Sequence, residues 1–110
     1  MNWIEVVTVR TAGETEFIKA LDFCSQMNQS LKAEGTVKVK IYRNTIYDMD
    51  LSIHIYRESD AQAPVKTACG IRLSKLLTRF GIVDHNVWRP VQLEDSLPLP
   101  GQNPKKGRLF

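Results

Sequence analysis

The chain of 110 residues has only two cysteines, Cys24 and Cys69, far apart and outside any CxxC pattern. That excludes a disulfide framework and a thiolate zinc knot, and both thiols are expected to stay reduced. Histidine is equally sparse. His54 and His85 have no carboxylate or thiolate at a ligand spacing beside them, so no metal site is expected. There is no GxGxxG, P-loop, GxSxG or HExxH, which leaves phosphate cradles and standard nucleophile motifs without support; no cofactor is implied. No apolar run approaches the roughly 20 residues of a membrane span. The start, Met1 to Glu5, has neither a basic nor an apolar signal segment, so a cytoplasmic protein with no membrane partner is expected.

A strong charge of one sign is also missing. Fifteen basic side chains face twelve acidic ones. The excess lies at Lys105, Lys106 and Arg108, because residues 98–110 contain no acid. The body is therefore neutral and lacks the basic stripe that phosphate backbones require, which argues against nucleic acid as a partner. The composition suits one ordinary globular domain, expected over residues 1–94. Residues 95–110 hold three of the five prolines and cannot form a regular element, so they are expected to be a disordered tail or one docked on a partner subunit.

What is present is a clear succession of elements. Asn2 to Arg10 is rich in Ile, Val and Thr and reads as a strand. Thr11 and Glu14 have capping-box spacing, and Phe17, Leu21, Cys24 and Leu31 then form an apolar stripe, predicting a helix over about Glu14 to Glu34 with Gly35 at its C-cap. Thr36 to Arg43 and Asp50 to Tyr56 alternate strictly, as half-buried antiparallel strands do. Ile41 and Ile53 must then share a face. Ser59-Asp60 and Pro64 suggest the start of a second helix, whose stripe runs through Val65, Cys69, Leu73 and Phe80 to a C-cap at Gly81. Gly70 inside that helix costs about 1 kcal/mol relative to alanine, so a close approach to another element is expected there. Ile82 to Arg89 reads as the last strand.

Strand, helix, strand, strand, helix, strand is the ferredoxin-like βαββαβ order of an α+β protein, with a four-stranded antiparallel sheet of spatial order 4-1-3-2 and both helices on one face. The helices should cover Val37, Val39, Ile41, Leu51, Ile53 and Ile55. The bare face should then carry Lys38, Lys40, Tyr42, Ser52, His54 and Tyr56, joined by Trp3, Glu5, Val7 and Val9 of the first strand. Such a face is too apolar to stay wet, and a homodimer packed through it, face to face as a dimeric α+β barrel, is expected.

The residues Tyr42-Arg43-Asn44, the strand Leu51-Ser52-Ile53-His54-Ile55-Tyr56 and the segment Glu58-Ser59-Asp60-Ala61 resemble the antibiotic-biosynthesis-monooxygenase-like group of the dimeric α+β barrel superfamily, over roughly residues 2–92. The resemblance implies two sheets packed face to face and cofactor-independent oxygenation or isomerisation of a small aromatic molecule. Arg57 stands where many relatives have Trp, and the second helix lacks the His that haem-degrading members present to iron, so haem cleavage is not implied.

The candidate catalytic group is Glu5 with His54 on adjacent strands and Tyr42 nearby, because a carboxylate beside an imidazole fixes its tautomer and lets the pair move a proton. Trp3, Lys40, Ser52, Tyr56 and His85 are candidate ligand-binding residues. The same Glu5, His54 and Lys40 could instead form a polar network across a dimer interface. His85 and Trp88 have opposite parity, so only one of them reaches the bare face. Cys24 and Cys69 lie on apolar stripes and are expected to act as small hydrophobes. Three function classes remain open: a ligand-binding or interaction module without chemistry, which the missing motifs favour; a cofactor-independent oxygenase or isomerase; and, third, an RNA-binding sheet.

Overall fold

The computed structural model describes residues 2–31, 36–59 and 64–91. The elements follow the expected order: β1 (Asn2–Thr11), α1 (Glu14–Leu31), β2 (Thr36–Arg43), β3 (Asp50–Glu58), α2 (Ala68–Leu77) and β4 (Gly81–Trp88). The four strands form one antiparallel sheet in the order β2-β3-β1-β4, the expected ferredoxin-like arrangement. Ile41 stands opposite Ile53 and Val39 opposite Ile55, so the alternation of β2 and β3 is realised residue by residue. Asn44 shapes the connecting turn: its Oδ1 accepts from the amides of Ile46 (2.7 Å) and Tyr47 (2.8 Å).

The core lies between the sheet and the two helices. Val7, Val9, Leu51, Ile53 and Ile55 meet Phe17, Ala20, Cys24 and Leu31 of α1 and Leu73, Leu77 and Phe80 on the α2 side. Ala20, not Leu21, is the buried residue of α1's second turn; Leu21 is 38% exposed. The smaller side chain sits on the inner line of the helix.

Several expectations are corrected. The odd residues of β1, namely Trp3, Glu5, Val7 and Val9, are buried on the helix-covered face and not on the bare one. The register explains why: directly paired residues share a face, and Glu5 pairs with Ile55, Val7 with Ile53 and Val9 with Leu51. The bare face receives Ile4, Val6 and Thr8 instead, which pair with Tyr56, His54 and Ser52. Val37 is 60% exposed because the register shifts between Thr36 and Lys38; the extra residue of this β-bulge turns away from the core.

The helix ends also differ. Thr11 is the last residue of β1, and its hydroxyl donates to the Met49 carbonyl at 2.7 Å, so it does not cap α1. The first turn of α1 is favoured instead by Glu14 and Glu16 near the positive end of the helix dipole. The N-cap of α2 is Thr67, whose Oγ1 accepts from the Gly70 amide at 3.1 Å; Pro64 and Val65 precede the helix. Its C-cap is Thr78, and Gly81 opens β4, where a Cβ would lie 1.9 Å from the Arg10 carbonyl oxygen. The Gly35 cap, Asp60 and the tail from 95 onward lie outside the described residues.

Candidate functional site

The sheet separates the candidate residues into two groups, one on each face. Beneath α2, Glu5 is fully buried at the centre of a polar cluster. Its Oε1 accepts from Arg57 Nε (3.2 Å) and from the Thr67 hydroxyl (2.8 Å), and Arg57 Nη2 lies 3.1 Å away. Its Oε2 accepts from the Thr67 amide (3.0 Å) and meets His85 Nε2 at 2.7 Å. Arg57 completes its own set by donating to the hydroxyls of Thr36 (2.5 Å) and Thr67 (3.1 Å). Thr67 Oγ1 thus donates once and accepts twice, the full capacity of a hydroxyl. The cluster ties β1, β3, β4 and the start of α2 together.

The approach expected at Gly70 is seen here. A Cβ on Gly70 would sit 1.9 Å from Glu5 Oε2, so the carboxylate reaches the N-terminus of α2 only because this residue has no side chain. The buried pair is compatible with folding because every oxygen of Glu5 is served; an unpaired carboxylate at this depth would be strongly disfavoured. Trp3 packs beside it, with the Arg57 guanidinium 5.7 Å from its ring centroid. Among the described residues, Trp3 Nε1 is the one buried side-chain polar atom without a hydrogen-bond partner.

The opposite, bare face carries the second group. His54 Nε2 is 2.8 Å from Ser52 Oγ, and the Tyr42 ring meets the imidazole edge-on at 4.6 Å between centroids. The Tyr42 and Tyr56 hydroxyls are 3.4 Å apart, and Lys38 Nζ lies 4.8 Å from the Tyr56 ring centroid. Lys40 pairs directly with His54 and is exposed. Partial burial lowers the His54 pKa from its ordinary value of 6.5, which favours the neutral imidazole. The hydrogen bond with Tyr42, followed by desolvation, raises the Tyr56 pKa.

Glu5 and His54 are therefore on opposite faces, and the carboxylate–imidazole pair of the sequence reading is not formed between them. Glu5 meets His85 instead, which points inward, while Trp88 takes the bare face opposite Ile4 and is 60% exposed. Trp3 is on the helix side with Glu5; Tyr42, Ser52, His54, Tyr56 and Lys40 are together on the bare side. Arg57 and Thr67 belong to this cluster although no sequence motif marks them. An arginine in an otherwise alternating strand at an inward-facing position, following Leu51, Ile53 and Ile55, was the available signal.

Among the described residues, two clefts adjoin these side chains. One of about 420 Å³ is lined by Thr8, Tyr42, Ser52 and His54. The other, about 390 Å³, lies toward the opposite end of the strands, between Trp88, Tyr56, Ile4 and Lys38, with Trp3 and Arg89 also in its wall. Neither is enclosed by the single chain. Among the described residues no group of three or more His, Cys, Asp or Glu is placed to hold a metal ion, and no helix is long and apolar enough to cross a membrane.

No protein-family model and no curated protein matches the sequence. Solved structures are similar in fold. SnoaB, a cofactor-independent oxygenase from Streptomyces nogalater, is 14% identical, with 89% of this chain and 98% of that chain covered and a TM-score of 0.55. A Deinococcus radiodurans protein carrying the antibiotic-biosynthesis-monooxygenase name is 8% identical, with coverage of 88% and 97% and a TM-score of 0.62. A dimeric ferredoxin-like protein from an uncultured marine organism is 20% identical, with coverage of 83% and 89% and a TM-score of 0.54. At these identities the likeness speaks for architecture: the chain has the ferredoxin-like α+β fold that antibiotic-biosynthesis-monooxygenase-like proteins share.

Proposed function

We propose that the protein is a homodimeric binding module in which the bare sheet faces of two copies pack against each other and enclose a site for a small aromatic molecule. The observation that carries this reading is the bare face itself. Ile4, Val6, Tyr42, Tyr56, Ile82 and Trp88 lie on the side of the sheet opposite the helices, with Ile82 77% and Trp88 60% exposed. Large apolar side chains exposed on one sheet face, here interleaved with His54, Asp84 and Asn86, mark an interaction site in soluble proteins. The name of the dimeric ferredoxin-like neighbour from the marine organism supports the same assembly. Native mass spectrometry tests both parts: the reading expects a two-chain species, with a retained small molecule or one taken up from an aromatic library, and a single-chain species without ligand would refute it.

One observation favours a second reading, cofactor-independent oxygenation or isomerisation of such a molecule. His54, its pKa lowered by burial and its ring bonded to Ser52 beside two tyrosines, is suited to accept a proton from a phenolic substrate in the adjoining cleft. SnoaB, named as a cofactor-independent oxygenase, lends it support. Oxygen uptake with a panel of hydroquinones, lost in His54→Gln, would select oxygenation; no uptake by the native protein would rule oxygenation out.

A further inference from the structure

The cleft at the Trp88 end of the bare face has a wall chemistry that selects its ligand. Trp88, Tyr56, Ile4 and Val37 give it flat, apolar sides, and about 390 Å³ falls within the usual range for small-molecule sites. Its aromatic faces already have cations: Lys38 Nζ stands over Tyr56 at 4.8 Å, and the Arg57 guanidinium over Trp3 at 5.7 Å. A cationic ligand would compete with both. Arg57 is balanced by Glu5, which leaves Lys38 and Arg89 against Glu58 in the lining. Arg89 makes no ion pair among the described residues. Trp3 borders the cleft, but its Nε1 is buried on the helix-covered side and offers a ligand no donor. With Lys38 and Arg89 against the single carboxylate of Glu58, the lining favours a ligand that brings a planar group bearing negative oxygen.

We infer that this cleft binds a planar aromatic carboxylate, its ring between Trp88 and Tyr56 and its oxygens served by Lys38 and Arg89. The inference rests on the ligand-binding part of the proposed function and adds the site and the charge of the ligand. Its geometry is built by one chain, so it holds whether or not a second copy closes the cleft.

The sequence has only two tryptophans, so an ¹⁵N-labelled sample shows two indole N–H signals, assigned with Trp88→Phe. The probes are 2-naphthoate, neutral 2-naphthamide and cationic 2-naphthylmethylamine. Saturable movement of the Trp88 signal is expected with naphthoate at a Kd of about 1 mM or below, and Lys38→Gln with Arg89→Gln should weaken it by about tenfold or more. The amide should bind more weakly and the amine not at all. The inference is overturned if naphthoate leaves the Trp88 signal in place or if all three probes bind alike. Light scattering on each sample separates the two readings: lost binding by an intact dimer counts against the carboxylate site, and a single-chain mass counts against the pairing of copies.

Discussion

At the scale of single residues, Glu5 has the greatest consequence. Its carboxylate is served by Arg57, Thr67 and His85, so neutralising it while keeping its shape strands a buried guanidinium. Glu5→Gln is expected to cost about 3–5 kcal/mol in urea unfolding, whereas replacing Glu5 and Arg57 together by leucine should cost less than the single change. Gly70→Ala gains about 1 kcal/mol of helix propensity. It nevertheless drives a methyl into Glu5 Oε2, and overpacking of about 1–3 kcal/mol should win, lowering the urea midpoint. Cys24 has a thiol pushed up to about 11 by burial, so a native sample at pH 8 should leave it unreacted with a thiol reagent, which modifies it only after denaturation. His54 supplies a pH dependence. Its folded pKa lies below 6.5, so its unfolded form binds protons first. Stability should be complete above pH 6.5 and fall as the pH drops through that value, a dependence that His54→Gln removes in unfolding curves measured across pH.

At the scale of elements, β2 and β3 were legible because their alternation is strict: Ile41 and Ile53 could share only one face, and they do. The crossing at Gly70 was legible because a glycine inside a helix needs a reason. The face of β1 was not. Both of its parities are apolar, with Ile4 and Val6 on one and Trp3, Val7 and Val9 on the other, so only the pairing of Glu5 with Ile55 decides which goes inward. That ambiguity produced the expected Glu5–His54 pair, which the sheet keeps apart. The bulge at Val37 leaves no sequence signal beyond an ordinary valine. The start of α2 was displaced from Pro64 to Thr67 because Thr67 satisfies two demands together, capping the helix and bonding the buried carboxylate. Thr67→Ala should accordingly cost more than the usual cap loss of about 1 kcal/mol, and Thr67→Ser should retain most of the stability, as read from thermal unfolding.

At the scale of the whole molecule, the helices and the Glu5 cluster account for one face of the sheet and leave the other to the solvent or to a partner. Val6 lies at the middle of that face, between His54 and Asn86, and outside the core. Val6→Arg should therefore leave the circular dichroism spectrum unchanged while dissociating the proposed dimer. A standard interface buries about 800 Å² on each partner, enough to cover the row from Tyr42 across His54 and Val6 to Trp88.

The most direct measurement is size-exclusion chromatography with light scattering at micromolar concentration. The account predicts a particle of two 12.6 kDa chains for the native protein and one chain for Val6→Arg; a native protein that elutes as a single chain throughout that range would contradict it.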